Sequence, residues 1–489
     1  MENLIISTKK KFAMDKFFLQ VKVNSSDDIE KILNVTTKTI FSSAEIANGL
    51  LMVSGKCVVR VLYLNNEGKV CSADNISEFI QKQKFDESLK DLIIKDDSKV
   101  ENYNFSGNEV VCAVAIEPIV IGEYKYQVPC YENDENIVTE TNSVKYKKLV
   151  CVSEDTFNVA EEFDISDGAV QILAENTNVL LEEISCTVDK VVAEGKIVAE
   201  IVVKNETDIF TINREFEFKQ EIAAEGVVPS MISYCNLDLK NVSFETEIKN
   251  EKPVIISNFE VYAKCFVYEE VEQEIITDLF SLKNDLDIVY DYVEAQSYSG
   301  YTSLNDTILS QTNISEIVDF DDIIGVYNPI SKIINVEENQ DKYIVTNLIS
   351  AFALYKDSKG ISKLEIKQEC KYEIFKQEGL LLRDIFATLS INSFKVKAGK
   401  ELEVVFAVVY SVVYSNSISS KFVKSYEEKT QKNLDDFGVK VYITKKGQTL
   451  FEVAKILNIK PEVIETQNVI EGCFDDGQKI YVYSPINLA

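Results

Sequence analysis

The strongest constraint on this chain's fold is an internal repeat. Residues 32–63 (ILNVTTKTIFSSAEIANGLLMVSGKCVVRVLY) align without a gap on residues 172–203 (ILAENTNVLLEEISCTVDKVVAEGKIVAEIVV). The Ile-Leu start, Thr37 and Thr177, Gly55-Lys56 and Gly195-Lys196, and Val58 and Val198 coincide. A third copy begins near Ile323. There Leu62, Tyr63 and Gly68 answer to Leu354, Tyr355 and Gly360, and residues 109–114 (EVVCAV) answer to residues 403–408 (EVVFAV). Separate motifs recurring in one order at nearly one spacing mark three copies of a structural unit, and the fold class follows from that unit.

The unit is a strand former with a period of two. Cys57, Val59, Val61 and Tyr63 point one way; Ile197, Ala199, Ile201 and Val203 fill that face in the second copy, and Ile349, Ala351, Ala353 and Tyr355 in the third. This face is the expected core. The opposite face (Val58, Arg60 and Leu62; Val198, Glu200 and Val202) is mixed and is expected to be partly solvated. Residues 65–68 and 357–360 suit hairpin loops that need a left-handed residue. The second copy diverges there, with residues 202–207 reading VVKNET. Gly55 and Gly195 precede the strand, where a positive φ or a bulge is expected, and Asn347 takes their place in the third copy. Residues 26–33 (SDDIEKIL) open with N-cap residue types and predict a short helix ahead of each repeated strand. The expected architecture is mainly β: three tandem β-rich, sandwich-like repeats over residues 1–140, 141–290 and 291–428. A length of 489 residues with 46% hydrophobic content supplies several cores of this kind.

The pattern changes near the C-terminus. Residues 425–438 are polar and charged and read as a linker. Val439, Val441 and Ile443 then alternate as a strand. Thr449-x-x-Glu452 is a capping box, and Leu450, Val453, Ala454 and Leu457 share one helical face. Pro461 opens a second helix that Asn468 can end, and Asp476-Gly477 turns into a closing strand at residues 479–483. The expectation is a small α+β domain of order βααβ over residues 439–484.

Several function classes are disfavoured. The chain has no histidine, which removes Ser-His-Asp and Cys-His activation and His-ligated metal sites. It has no phosphate-binding loop and no dinucleotide fingerprint. Ser7-x-x-Lys10 is a chance match at an expected frayed end, and residues 164–168 (DISDG) read as a turn. No catalytic residue, metal ligand or cofactor is expected, and a non-enzyme is. Lys and Arg total 51 against 80 Asp and Glu, a formal charge of -29. Such a field repels phosphate backbones and anionic lipid, so no nucleic-acid partner is expected. Neither a signal peptide nor a membrane span is expected, since the longest apolar run, residues 404–414, is too short to cross a bilayer. The expected compartment is the cytosol. The ten cysteines form no C-x-x-C pair and are expected to be reduced and packed as small hydrophobes.

Residues 441–483 resemble a LysM domain in the Gly447-x-Thr449-Leu450 turn, Phe451, Ala454, Leu457, the Gln467-Asn468 helix end and the Gly477-Gln478-Lys479-Ile480 run. That resemblance implies a shallow groove for N-acetylglucosamine glycans between two loops: Gly447, Gln448, Thr449 and Leu450, and Asn468, Val469, Ile470 and Glu471. Gln448 stands where LysM domains usually carry Asp. Residues 28–35, Gly55 and residues 61–63 resemble the opening of the SPOCS domain. Tandem SPOCS units followed by a LysM domain are the layout of SipL-like spore coat assembly proteins. The likeness implies a coat-assembly adaptor in the mother cell at the forespore surface, with the coat's basement-layer ATPase and other coat proteins as partners. The alternative it implies is a cell-wall-associated protein that binds peptidoglycan.

Overall fold

The structure is a computed structural model of the chain. It describes residues 3–96, 98–131, 134–165, 171–205, 208–249, 252–317, 320–358, 360–397, 401–432, 438–470 and 472–483. Strands dominate, and all pairing is antiparallel between neighbours in each sheet.

The second group of strands shows the unit in its simplest form. It comprises β10 (Ile137–Asp164), β11 (Gln171–Thr187), β12 (Lys190–Lys204), β13 (Ile209–Ala223), β14 (Ile232–Lys249) and β15 (Lys252–Ser281). They form two three-stranded sheets, β10-β15-β14 and β11-β12-β13. Side chains from both sheets share one core, which includes Ile197, Ile201, Phe216, Phe259 and Val261. The third group repeats this with β16 (Asn284–Asn313), β17 (Phe320–Glu338), β18 (Lys342–Asp357), β19 (Gly360–Phe375), β20 (Leu381–Lys397) and β21 (Glu401–Gln431), as sheets β16-β21-β20 and β17-β18-β19. In the first group the hairpin sheet is β3 (Ile29–Ala47), β4 (Leu50–Asn65) and β5 (Val70–Lys84). Its other long strands are each broken in two. β1 (Leu4–Ala13) and β2 (Phe17–Asn24) stand for β10, β6 (Lys90–Asp96) and β7 (Lys99–Ser106) for β14, and β8 (Glu109–Ile116) and β9 (Pro118–Val128) for β15. They pair as β1-β9-β6 and β2-β8-β7.

The repeated inward face is core. Cys57, Val59, Val61 and Tyr63, and their counterparts Ile197, Ala199, Ile201 and Val203, are buried. Gly68 and Gly360 supply the left-handed hairpin residue at φ 72° and 116°, and the Asn65 side chain accepts the Glu67 and Lys69 amides. Gly55 and Gly195 are explained by close approach rather than by positive φ. A Cβ on Gly55 would lie 2.5 Å from the Ile40 carbonyl oxygen, and one on Gly195 2.1 Å from that of Leu180. Both sit beside a register shift, at Phe41/Ser43 and Leu181/Glu183, so the bulge half of the expectation holds.

Three expectations for the fold fail, and a fourth holds only in part. Residues 26–33 are not helical: from Ile29 they are strand β3, because β4 takes their backbone groups, with Ile29 opposite Asn65 and Ile32 opposite Tyr63 in the ladder. Residues 425–431 are not linker but the end of β21, paired with β16 through Asn284 and Gln431; a polar sequence stays in a sheet when a neighbour takes its backbone groups. Ser7 and Lys10 lie inside β1, not on a frayed end, and Ser7 is buried. Of residues 164–168, Ser166 to Gly168 lie outside the described residues.

The fourth correction concerns the opposite face. Leu62, Val202 and Leu354 are 3%, 3% and 1% exposed, whereas Val58, Arg60 and Val198 are half-buried, so the face expected to be partly solvated is interior at one end only. The three units meet there. A bulge recurs at one place in each, between Ile32 and Asn34, Ile172 and Ala174, and Ile323 and Gly325. The extra residues are Leu33, Leu173 and Ile324, and all three enter one cluster with Leu62, Val202 and Leu354. Matching positions from three repeats therefore form a three-way junction. A second cluster joins the units through Ile6 and Val128, Val144 and Ile275, and Val293 and Phe422.

The chain ends in β22 (Val439–Ile443), α1 (Leu450–Leu457), α2 (Pro461–Gln467) and β23 (Lys479–Tyr483), in the order ββ-flanked αα that was expected. β22 pairs with β23, and Phe451, Val453, Ala454, Ile464, Phe474 and Ile480 form the core beneath them.

Candidate functional site in the C-terminal module

The first candidate loop is a turn built by its own side chains. Gly447 has φ +84°, so a side chain there would be strained. Its amide donates to the Phe474 carbonyl, and the Phe474 amide donates to the Gln448 carbonyl, at 3.0 Å each. The Gln448 side chain folds back: its Oε1 accepts the Lys445 amide at 2.8 Å and its Nε2 donates to the Tyr442 hydroxyl at 3.1 Å. Thr449 closes the capping box. Its Oγ1 accepts the Glu452 amide at 3.2 Å, and its own amide donates to Glu452 Oε2 at 2.9 Å. Leu450 packs on the module core.

In the second loop, Asn468 ends α2 and then turns its amide onto β23. Oδ1 accepts the Tyr481 amide at 2.9 Å, and Nδ2 donates to the Tyr481 carbonyl at 2.8 Å and to the Ile464 carbonyl at 3.0 Å. Gln467 does the same one pair further on, accepting the Tyr483 amide at 2.6 Å and donating to its carbonyl at 3.2 Å. Two side-chain amides thus pair the outer backbone groups of β23, and a strand edge covered this way offers no ladder to a partner. Val469 is 87% exposed, Ile470 packs on the same core as Leu450, and Glu471 lies outside the described residues. Both loops border one core. Their polar side chains serve turn, cap and edge, which leaves exposed Val469 for a ligand.

The outward face of the two-stranded sheet is different in kind. Val439 faces Tyr483 and Val441 faces Tyr481 across the ladder, with Ile443 beside Lys479. Val439, Val441, Ile443, Tyr481 and Tyr483 are all exposed. Five large apolar side chains therefore cover one small sheet. The alternation of residues 439–443 and 479–483 signals that one face is apolar; which face is outward depends on where α1 and α2 pack.

The module is seated on the turn between β15 and β16. Lys455 reaches both oxygens of Asp278, at 2.6 and 2.7 Å, and the Tyr290 hydroxyl donates to Asp278 Oδ1 at 2.7 Å. Burial raises the Asp278 carboxyl, but these donors outweigh it and hold the group below the usual range. Phe280 meets Phe451 edge-on at 5.4 Å. Asn458, left-handed at φ 54°, donates to the Leu282 carbonyl at 2.9 Å and accepts Lys432 at 2.7 Å. Of the lysines that make the module locally basic, Lys455 and Lys440 are engaged internally, the latter on the Leu457 carbonyl; Lys445, Lys446 and Lys460 are exposed. The seat was invisible in the sequence because Asp278 and Lys455 lie far apart along the chain.

A wider cleft of about 850 Å³ opens between the first two units, walled by residues 41–47 of β3 and by Asp238, Lys240 and Tyr262. Among the described residues, no His, Cys, Asp or Glu group is placed to hold a metal ion, and no helix is long and apolar enough to cross a membrane. Cys130 and Cys473 are exposed, against the expectation of ten packed thiols, because both sit outside strand interiors.

The family model described as SipL, SPOCS domain matches residues 28–107 and 168–247. The two matched stretches carry the same 140-residue offset as the repeat, and they span β3 to β7 and β11 to β14. No curated protein and no solved structure matches the chain.

Proposed function

We propose that this chain is a non-catalytic adaptor of spore coat assembly. It tethers coat proteins at the forespore surface in the mother cell, and its C-terminal LysM-like module binds a protein partner. The SPOCS matches in two of the three units support the sporulation setting. The observation that carries the binding mode is the exposed apolar face of Val439, Val441, Ile443, Tyr481 and Tyr483. Contiguous apolar surface of this kind suits protein docking. A glycan groove needs free hydrogen-bonding side chains, whereas those of Gln448, Thr449 and Asn468 are engaged within the module. The implied partner is the coat's basement-layer ATPase.

The test is capture from sporulating cells with the full chain and with a full chain carrying Val441→Asp and Tyr481→Asp, beside co-sedimentation with purified peptidoglycan. The adaptor reading requires that the parent retain a coat ATPase and that the double variant lose it. Sedimentation of both chains with peptidoglycan, with no coat protein captured, would install the wall-binding alternative in its place.

A further inference from the structure

At the three-way junction, the apolar cluster gives way to a polar pocket with room of about 20 Å³ for a water-sized sphere. Its wall is drawn from all three units: Asn34 and Arg60, Glu175 and Glu200, Tyr327 and Asn328. Three of these residues carry a buried polar atom with no protein partner: Asn34 Nδ2, Glu200 Oε1 and the Tyr327 hydroxyl. Their residues are 5%, 7% and 3% exposed. A buried polar group left bare is costly, and three such residues around one space amount to a demand for an occupant.

We propose that this pocket is a binding site for one neutral water molecule held by all three units. Size sets the number, since a room of about 10–15 Å³ holds one water. Charge sets the class. Arg60 in the wall opposes a cation, and the Glu175 carboxylate opposes an anion. Hydrogen-bond accounting then closes. Glu200 Oε2 accepts the Asn328 amide at 2.9 Å, which leaves Oε1 to carry the proton. Burial raises the Glu200 carboxyl to about 8, so it is protonated at neutral pH. The water accepts from Oε1 and from Asn34 Nδ2 and donates to the Tyr327 oxygen. Each unit supplies one of its partners, so the molecule is ordered only when the three units are closed on one another. The site is independent of the coat-assembly reading.

The test is a crystal structure of the full chain at a resolution that shows ordered solvent, with separate soaks in rubidium and bromide salts, repeated for Glu200→Gln. The expected result is one peak within about 2.7–3.2 Å of all three atoms. It should carry no anomalous signal from either salt, and it should persist in Glu200→Gln, whose amide offers the same donor and acceptor types. A rubidium or bromide signal in the pocket, an empty pocket, direct bonds among the three side chains, or loss of the peak in Glu200→Gln would each overturn the proposal.

Discussion

The Lys9 ammonium stands 3.6 Å from the centre of the Phe266 ring and so plugs the first unit into an aromatic cage of the second. Tyr234 completes the near wall at 4.0 Å. The ammonium has no hydrogen-bond partner, and cation–π attraction replaces only part of its lost hydration. Burial lowers it to about 7, with Glu123 and Asp384 opposing the shift and Arg383 adding to it. A lysine lowered in the folded state binds its proton more weakly there than in the unfolded chain. Its penalty is full below about pH 7 and fades as pH rises toward the ordinary value of 10.5. Lys9→Met should therefore be at least as stable as the parent at pH 7, and it should lose the part of the stability rise between pH 7 and 10 that Lys9 supplies. Urea midpoints at pH 7, 8.5 and 10 measure both; a parallel slope in the variant would show that the ammonium is not the source.

Leu62 is buried in the three-way junction, with Val202 and Leu354 as its counterparts. Leu62→Ala removes buried methyl groups where three sheets meet and cannot all collapse inward. A loss of about 2–5 kcal/mol follows. It should appear in the earliest thermal transition, because the inner core of each unit is untouched. The outward Ile80→Ala on β5, which is 67% exposed, is the control and should shift that transition little.

The repeat and its alternation made the units readable, because a core face with period two writes itself into Cys57, Val59, Val61 and Tyr63. The capping box of Thr449 and Glu452 was equally plain, since both partners lie within one turn. Two kinds of feature were not readable. Residues 26–33 carry helix-start residue types, and Ile29, Ile32 and Leu33 have the spacing of one helical face; only pairing with β4, later in the chain, decides for a strand. Leu62 and Glu200 looked half solvated because one unit seen by itself leaves that face bare. Their burial depends on how three copies meet, which no single copy encodes. For the candidate loops the sequence located the residues but could not show that Gln448 and Asn468 spend their amides internally.

Glu200 makes a second pH term, opposite in sign to that of Lys9. Its carboxyl is raised from 4.5 to about 8, so the folded chain holds a proton that the unfolded chain has released. Its contribution to stability is complete below about pH 4.5 and is lost as pH rises through 8. Glu200→Gln should remove that decline and be the more stable protein at pH 8.5. Urea midpoints of both chains at pH 5 and pH 8.5 decide; an unchanged slope would mean that the carboxyl is hydrated in solution.

The thiols divide by burial. Cys130 and Cys473 are exposed, whereas Cys57, Cys112, Cys186, Cys235 and Cys265 are buried. Burial also raises Cys112 to about 11 and raises Cys186 above its usual value, which depletes the reactive thiolate. Brief native alkylation followed by peptide mass spectrometry should label Cys130 and Cys473 first, and the core thiols only after unfolding. Early labelling of Cys112 would contradict the packing of the first unit.

Asp278 and Lys455 should decide whether the C-terminal module stays on its seat. The pair is partly buried, bidentate and shared with Tyr290, so it is stronger than an open surface ion pair. Asp278→Ala strips the Lys455 ammonium beside Phe451 of its hydrogen-bonded counter-charge, leaving only the more distant Glu140, and frees the Tyr290 hydroxyl. Asp278→Asn keeps the shape and one acceptor but removes the charge. Amide exchange across α1 and the turn at residues 281–283 should speed up most in Asp278→Ala, by less in Asp278→Asn, and recover when salt is not the variable but the double variant Asp278→Lys with Lys455→Asp restores the pair in reverse. Amides in α2 and β23, held by the module's own core and by Gln467 and Asn468, should exchange as before. Equal acceleration in α2 would mean that the substitution unfolds the module rather than unseating it.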